Sequence, residues 1–231
     1  MTDLRTHATG IAELLAHLRE REGAVGHLYC DHRGLVTIAV GYLVDRNGQP
    51  DDAGRQLARK LAQRSDVVFS TAAGTPATVT DVEADWQRVK DHGRANPGLG
   101  ARRYGAVARL HIDDVSIDAI TGTVVRRFLD DLYAKRPFML NHDVHVAMAL
   151  LDARYNPAGV AIYGDDPSVQ KLWNTLDPAH AESAPGEALQ LFQQIWSGRG
   201  NERYQERHRQ RVAWMRAGLA PTASLDAPSS P

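Results

Sequence analysis

The sequence predicts an α+β protein that is mostly helical, with a short antiparallel sheet near its N-terminus. Apolar residues recur at helical spacing over most of the chain, in about eight separate segments. Residues 24–44 are instead expected to form a hairpin or small antiparallel sheet around a turn at 31–34, because Val36, Ile38 and Val40 alternate with the residues at 37, 39 and 41 as in a half-buried strand. Helices grouped apart from a short sheet are typical of the α+β class.

The first helix is expected over 8–21, where Ile11, Leu14 and Leu18 share one face. A helix containing Trp86 is expected to be capped by Thr80 or Asp81. The segment 145–155 is apolar on most sides, which predicts a buried helix. The other expected helices cover 53–63, 116–135, 167–173, 185–196 and 202–217, whereas 45–50, 69–80 and 92–104 are expected to be loops or irregular.

Length and composition predict one domain over 1–219. The chain has 231 residues, 43% of them hydrophobic and 24% charged, which is enough for one sizeable core. Residues 66–112 are expected to be an insertion or an enlarged region between two lobes. Residues 220–231 are rich in Pro, Ser and Ala and are expected to form a disordered tail.

Several classes of function are disfavoured by the composition. The net charge is −1, so no global basic field indicates nucleic acid as a partner. No run of about 18 apolar residues suggests a membrane span. The N-terminus has no signal-peptide pattern, so synthesis in the cytoplasm is expected. Cys30 is the only cysteine, which excludes an intrachain disulfide and favours a packing role.

The stretch with the most chemistry runs from Glu22 to Leu43. Glu22 ends the first helix, Asp31 lies in the hairpin turn, and Thr37 lies on the returning strand. This order can bring two carboxylates and a hydroxyl to the mouth of one cleft. The motif reads Glu22-Gly23, Tyr29-Cys30-Asp31, Gly34 and Thr37-Ile38-Ala39-Val40-Gly41-Tyr42.

This stretch resembles the active-site segment of phage-type lysozymes, the muramidases and endolysins. Their pattern is Glu-Gly, Tyr-x-Asp, a glycine turn and Thr-Ile-Gly-x-Gly-His, with the same nine residues from Glu to Asp and six more to Thr. Ala39 stands where that family has a glycine, and Tyr42 where it has a histidine. The likeness is weaker over 149–159 and 202–218, and is specific only across 22–43.

The resemblance implies a lysozyme-like fold, in which a small sheet and a helical lobe flank a cleft, and the cleavage of a glycosidic bond. Such cleavage uses two carboxylates in different environments. Glu22 is the expected general acid, kept protonated by partial burial at the end of an apolar helix. Asp31 is expected to be ionised and to orient the attacking water, and Thr37 to hold that water. Inversion would require the carboxyl groups to lie roughly 6.5–9.5 Å apart.

Substrate contacts are implied by position alone. Leu43 would floor the cleft, Tyr155 would face it and Ser168 would touch it, while Arg207 would pair with Glu22. Tyr155 as a core residue and Arg207 as a solvated helix residue are equal alternatives. No metal or other cofactor is expected, because the pairs His27/His32 and His142/His145 have no further ligands at zinc-site spacing.

The leading hypothesis is a monomeric muramidase that cleaves the β-1,4 bond between N-acetylmuramic acid and N-acetylglucosamine in peptidoglycan. It would act on the bacterial cell wall as a phage endolysin or as an antibacterial effector of a type VI-like secretion system. An effector would have an immunity protein and a secretion-spike component as partners. One alternative is a chitosanase or chitinase-like glycosidase. Another is a wall-binding module with a dead site, which Ala39 and Tyr42 favour.

Overall fold

The computed structural model describes residues 3–45, 50–155, 161–180, 183–198 and 202–220, except for the Arg203 side chain. Within these ranges the chain is mostly helical, with two small antiparallel sheets, which confirms the α+β class. The α-helices are α1 (Ala8–Glu22), α2 (Asp51–Ala62), α3 (Val79–Ala95), α4 (Asp114–Lys135), α5 (Val144–Tyr155), α6 (Pro167–Leu176), α7 (Pro185–Trp196) and α8 (Glu202–Leu219). Short 3₁₀ helices cover Leu4–Thr6, Ala101–Ala106 and Pro137–Asn141.

The first sheet is the expected N-terminal one. Its strands are β1 (Val25–Cys30), β2 (Val36–Ala39) and β3 (Tyr42–Leu43), paired antiparallel in the order β1-β2-β3. A bulge in β1 shifts the register between the pairs Val25–Ala39 and Tyr29–Thr37. The second sheet pairs β4 (Phe69–Thr71) with β5 (Leu110–Ile112).

The chain divides into two compact units, and the division falls within α1 and α4. The sheet unit consists of Leu15–Arg126, and the helical unit consists of Met1–Leu14 with Arg127–Pro231. The sheet unit contains both sheets with α2 and α3. The helical unit contains α5 to α8. The expectation of a single domain over 1–219 stays a prediction.

In the sheet unit, α3 packs against β1 and α2. Trp86 of α3 is fully buried, and its indole N–H donates to the carbonyl oxygen of Val44 (3.1 Å). Asp85 is also buried and accepts hydrogen bonds from the backbone N–H groups of Arg109 (2.9 Å) and Leu110 (3.3 Å). These contacts fix the start of β5 against α3, so much of 66–112 belongs to the core of this unit.

In the helical unit, α5 is buried over most of its length, as its apolar sequence predicts. It packs against α8, and Asp152 of α5 forms a buried ion pair with two arginines of that helix. Arg207 Nε lies 2.9 Å and Arg211 Nε 2.5 Å from Asp152 Oδ2. Arg211 also donates to the hydroxyl of Tyr204 (3.0 Å).

Some local expectations are wrong. The cap of α3 is Thr78, which forms a capping box with Asp81, rather than Thr80 or Asp81 itself. Part of 69–80 forms β4. The segment 92–104 is an exposed loop only in part: α3 continues to Ala95, residues 96–100 lie outside regular elements and are mostly exposed, and Tyr104 is buried in the 3₁₀ helix that follows.

Other expectations fall partly or wholly outside the described residues. These are most of the loop 45–50, the helix end at 156–159 and the tail from 221. Among the residues that are described, no helix is both long enough and apolar enough to cross a membrane.

Candidate active site

Glu22 is the last residue of α1, and the helix ends there because of Gly23. Gly23 has φ +82°, a left-handed conformation that suits glycine, and its N–H donates to the carbonyl oxygen of Arg19 (3.1 Å). The guanidinium of Arg19 pairs with Asp114 (2.8 Å) and Asp118 (2.9 Å), which ties the end of α1 to the start of α4. The Glu22 side chain is exposed, so the partial burial expected from the sequence is not present.

Asp31 opens the hairpin turn between β1 and β2. Its Oδ1 accepts hydrogen bonds from the backbone N–H groups of Arg33 (2.8 Å) and Leu35 (3.0 Å). Gly34 closes the turn with φ +74° and donates its N–H to the carbonyl oxygen of Asp31 (2.9 Å). These bonds fix the orientation of the Asp31 carboxylate. Its other oxygen, Oδ2, lies 3.6 Å from Arg33 Nε.

Tyr29 links the two carboxylates. Burial, together with the negative charges of Asp31 and Glu22, raises the pKa of the Tyr29 phenol to about 12. A charge acts on a phenol in this way only at short range. Each carboxylate therefore lies within electrostatic range of Tyr29.

Thr37 and Leu43 lie in one row with Tyr29 across the sheet. Tyr29 is paired with Thr37, and Thr37 with Leu43, so the three side chains share a face. Leu43 is 40% exposed, whereas Thr37 is only 2% exposed and donates its hydroxyl to the carbonyl oxygen of Leu35 (3.0 Å). The structure thus places Thr37 beside Tyr29 but beneath the surface.

A buried lysine of α3 also holds the turn in place, and sequence analysis did not identify it. Lys90 of α3 is 9% exposed; its ammonium donates to the Gly34 carbonyl oxygen (3.0 Å) and to Asp45 Oδ2 (2.5 Å). Lys90 thereby connects the turn that bears Asp31 to the chain that leaves β3. Gly34 and Asp45 are 56 and 45 residues from Lys90 in sequence. Local sequence patterns cannot predict contacts between residues this far apart.

Cys30 has a packing role. Its side chain is buried against α3, with Sγ 3.6 Å from the Val89 carbonyl oxygen. Burial raises the pKa of the thiol, which disfavours the thiolate that a nucleophile requires.

The other three predicted substrate contacts belong to the helical unit. Tyr155 is half-buried at the end of α5, with its ring edge-on to Phe128 (centroids 5.9 Å apart). Ser168 is exposed in the first turn of α6, where Asp166 caps its N–H (2.8 Å). Arg207 is 3% exposed and forms an ion pair with Asp152. Its predicted pairing with Glu22 stays a prediction.

The candidate site thus contains two carboxylates, one exposed at a helix end and one oriented by a turn, both of which act electrostatically on the Tyr29 phenol. Such a pair can transfer protons to and from a bound substrate. Within the described ranges, no three His, Cys, Asp or Glu side chains are grouped so that they could hold a metal ion. The sequence matches no known family model and shows no significant similarity to a curated protein.

Proposed function

We propose that the protein is a peptidoglycan hydrolase with a lysozyme-like fold. It cleaves the β-1,4 bond between N-acetylmuramic acid and N-acetylglucosamine by acid/base catalysis with inversion. The observation that carries the proposal is the placement of Asp31, whose Oδ1 accepts hydrogen bonds from the backbone N–H groups of Arg33 and Leu35 in a hairpin turn nine residues after Glu22. Glycosidic cleavage uses two carboxylates, and Glu22 and Asp31 have the motif spacing of the phage-type lysozymes.

In this proposal Glu22 is the general acid. It gives its proton to the glycosidic oxygen while the bond from that oxygen to the anomeric carbon breaks. The exposure of Glu22 leaves it accessible to a polymer.

Asp31 is the general base. Its less constrained oxygen, Oδ2, takes a proton from the water that attacks the anomeric carbon. The two backbone hydrogen bonds to Oδ1 hold the carboxylate in place during this step. The role of Thr37 in holding water rests on the motif resemblance, and that of Leu43 as the cleft floor is supported by its exposed side chain.

The substrate is the bacterial cell wall, in phage lysis or in competition between bacteria. An effector of the second kind would need a secretion-spike component for delivery and an immunity protein that covers the site. The dead-site alternative loses one argument, because Ala39 has φ 56° and so keeps the left-handed conformation that a glycine would take there.

The test is the release of reducing sugar from purified peptidoglycan by the Glu22→Gln and Asp31→Asn variants. We expect each to lose activity by about 10²- to 10⁴-fold, since each removes a proton-transfer group. Glu20→Gln is the matched control, because Glu20 is an exposed glutamate of the same helix two residues earlier. Thermal unfolding should show that all three variants keep the fold.

Normal activity of Glu22→Gln would remove Glu22 from the role of acid and overturn the proposal. Hydrolysis of chitosan in preference to peptidoglycan would instead favour the related glycosidase. Binding to sacculi without any release of reducing sugar would favour a wall-binding module.

A further inference from the structure

A second candidate site lies in the helical unit, in an open cleft between α7 and α8. Its volume is about 390 Å³, within the range of small-molecule sites. None of its lining residues belongs to the proposed catalytic site. The residues used below are Gln193, Ser197, His208, Arg209, Val212 and Arg216.

His208 is the most informative residue of this cleft. Its side chain is 5% exposed, and Nε2 lies 3.1 Å from the carbonyl oxygen of Gln193. A carbonyl oxygen only accepts, so Nε2 carries the hydrogen and Nδ1 of the neutral ring is an acceptor. Burial lowers the pKa of His208, and the charge of Arg211 lowers it further, which favours this neutral form.

The acceptor Nδ1 of His208 is buried and forms no hydrogen bond with any described residue. A buried polar atom without a partner destabilises the folded state, and such atoms are rare in folded proteins. A ligand that donates a hydroxyl or amide hydrogen to Nδ1 would remove this cost.

The charge of the cleft is positive. Arg209 and Arg216 line it, and none of its other described lining residues is acidic. Arg209 forms an exposed ion pair with Glu206, and such pairs are worth little. Arg216 has no ion pair within the described part of the chain. Both guanidinium groups can therefore turn towards an anion.

We propose that the cleft between α7 and α8 binds a sugar acid, that is, a hydroxylated carboxylate of monosaccharide size. Its carboxylate pairs with Arg216 and Arg209, and one of its hydroxyl or amide groups donates to Nδ1 of His208. The hydroxyl of Ser197 can bond a further ligand hydroxyl, and Val212 offers an apolar wall for the C–H face of the ring. A bare anion such as sulfate satisfies the arginines but has no donor for His208.

Two sources could supply such a ligand. N-acetylmuramic acid carries a lactyl carboxylate within the cell wall, whereas uronic acids occur as free or polymeric sugars. The inference does not rest on the proposed hydrolase, because binding is measured here and catalysis by Glu22 is not needed.

The test is calorimetric titration of the full chain with N-acetylmuramic acid, glucuronic acid, N-acetylglucosamine and sulfate. N-acetylglucosamine is the matched control, since it has the amino-sugar ring but no carboxylate. We expect saturable binding of at least one acid in the millimolar range or tighter, and at least tenfold weaker binding of N-acetylglucosamine and sulfate. Preference for N-acetylmuramic acid would identify the wall as the source, and preference for glucuronic acid would identify free sugar acids.

Two variants locate the binding. Arg216→Gln should weaken it at least about fivefold through loss of the charge-assisted contact. His208→Gln keeps a donor near the Gln193 carbonyl and loses the Nδ1 acceptor, so it should also weaken binding. Arg126→Gln on the exposed face of α4 is the control and should bind as the parent does.

The inference is wrong if neither acid binds saturably, if N-acetylglucosamine binds as tightly as the preferred acid, or if Arg216→Gln does not change the affinity. Arg216 is an exposed helix residue, so its variant should fold even if His208→Gln does not, and the melting temperature of each variant identifies any loss of fold.

Discussion

The backbone of Ala39 shows how a single residue can carry strain beside the candidate site. Ala39 has φ 56° and is fully buried at the end of β2, two residues before Gly41 with φ +75°. The left-handed conformation costs a residue with a Cβ about 1–2 kcal/mol. Ala39 lies in the segment that connects Thr37 of β2 to Leu43 of β3. The strained residue is therefore next to the cross-strand row of Tyr29, Thr37 and Leu43.

This conformation predicts different effects of two neighbouring substitutions on the free energy of unfolding. Gly41→Ala should lower the free energy of unfolding by about 1 kcal/mol, because it places a Cβ on a left-handed backbone. Ala39→Gly should change it by less than about 1 kcal/mol, because relief of strain is offset by the lost buried methyl and the more flexible unfolded chain. Urea unfolding measures both values. Stabilisation by Gly41→Ala would show that the turn does not need the left-handed conformation.

That Glu22, Asp31 and Thr37 form one site stays a prediction from their spacing. In the structure, Tyr29 is paired with Thr37, and the charges of Asp31 and Glu22 add to the effect of burial on the pKa of Tyr29. The exposure of Glu22 was not predicted, because the helical spacing of apolar residues does not show how much of the last helical residue the following turn covers. Nor was the burial of Arg207, whose partner Asp152 is 55 residues away.

At the scale of elements, α3 approaches β1 closely enough that one position must be glycine. A Cβ built on Gly93 would lie 2.4 Å from Cys30 Sγ and 3.1 Å from Tyr104 Oη. Real Cβ atoms essentially never lie within 3.0 Å of such an atom, so either the Cys30 side chain or the helix would have to move. The packing of α3 on the strand that leads to Asp31 therefore depends on Gly93.

Gly93→Ala should lower the free energy of unfolding by about 1–3 kcal/mol, the usual range for overpacking, despite the better helix propensity of alanine. Gly122→Ala is the matched control: Gly122 is also inside a helix, but its Cβ would meet nothing within 4 Å. It should stabilise the protein by up to about 1 kcal/mol. Adding Cys30→Ala to Gly93→Ala should restore part of the loss, and a purely additive result would contradict the proposed clash.

Lys90 provides a second test of how α3 supports the hairpin. Lys90→Met should lower the free energy of unfolding by about 3–5 kcal/mol, because it leaves the buried Asp45 without the ammonium at 2.5 Å. Lys60→Met makes the same chemical change at an exposed position of α2 and should cost less than about 0.5 kcal/mol. Equal costs in chemical denaturation would mean that the Lys90 contacts contribute nothing specific.

The helices and the first sheet could be predicted because each depends on a local pattern. Val36 and Ile38 alternate with Thr37 as a strand does, and α5 is apolar on most sides as a buried helix is. The pairing of β4 with β5 could not be predicted, since each strand has three residues and they lie far apart in sequence. Burial of Tyr104 depends on the same non-local packing, so 92–104 looked like an exposed loop.

At the scale of the whole molecule, buried tyrosines make stability depend on alkaline pH. Burial raises the pKa of Tyr29 and of Tyr104 to about 12, against a usual value of 10. Burial also raises the pKa of Tyr133, Tyr163 and Tyr204, so both compact units contain such groups. Above pH 10 the unfolded chain releases these protons while the folded chain keeps them, so the stabilisation is complete below pH 10 and is lost as pH rises towards 12.

The expected result is a fall in the free energy of unfolding between pH 10 and 12, with each fully shifted tyrosine contributing about 1.4 kcal/mol per pH unit. Denaturant unfolding at intervals over this range measures it. The double variant Tyr29→Phe/Tyr104→Phe removes two of these groups, so its free energy of unfolding should fall less steeply. Between pH 7 and 9 the difference in free energy of unfolding between this variant and the parent should stay constant. A parallel decline of parent and variant would contradict the assignment, because the lost stability would then belong to other groups. A shallower decline in the Tyr29→Phe single variant would show that ionisation of the Tyr29 phenol accounts for part of the stability lost at high pH.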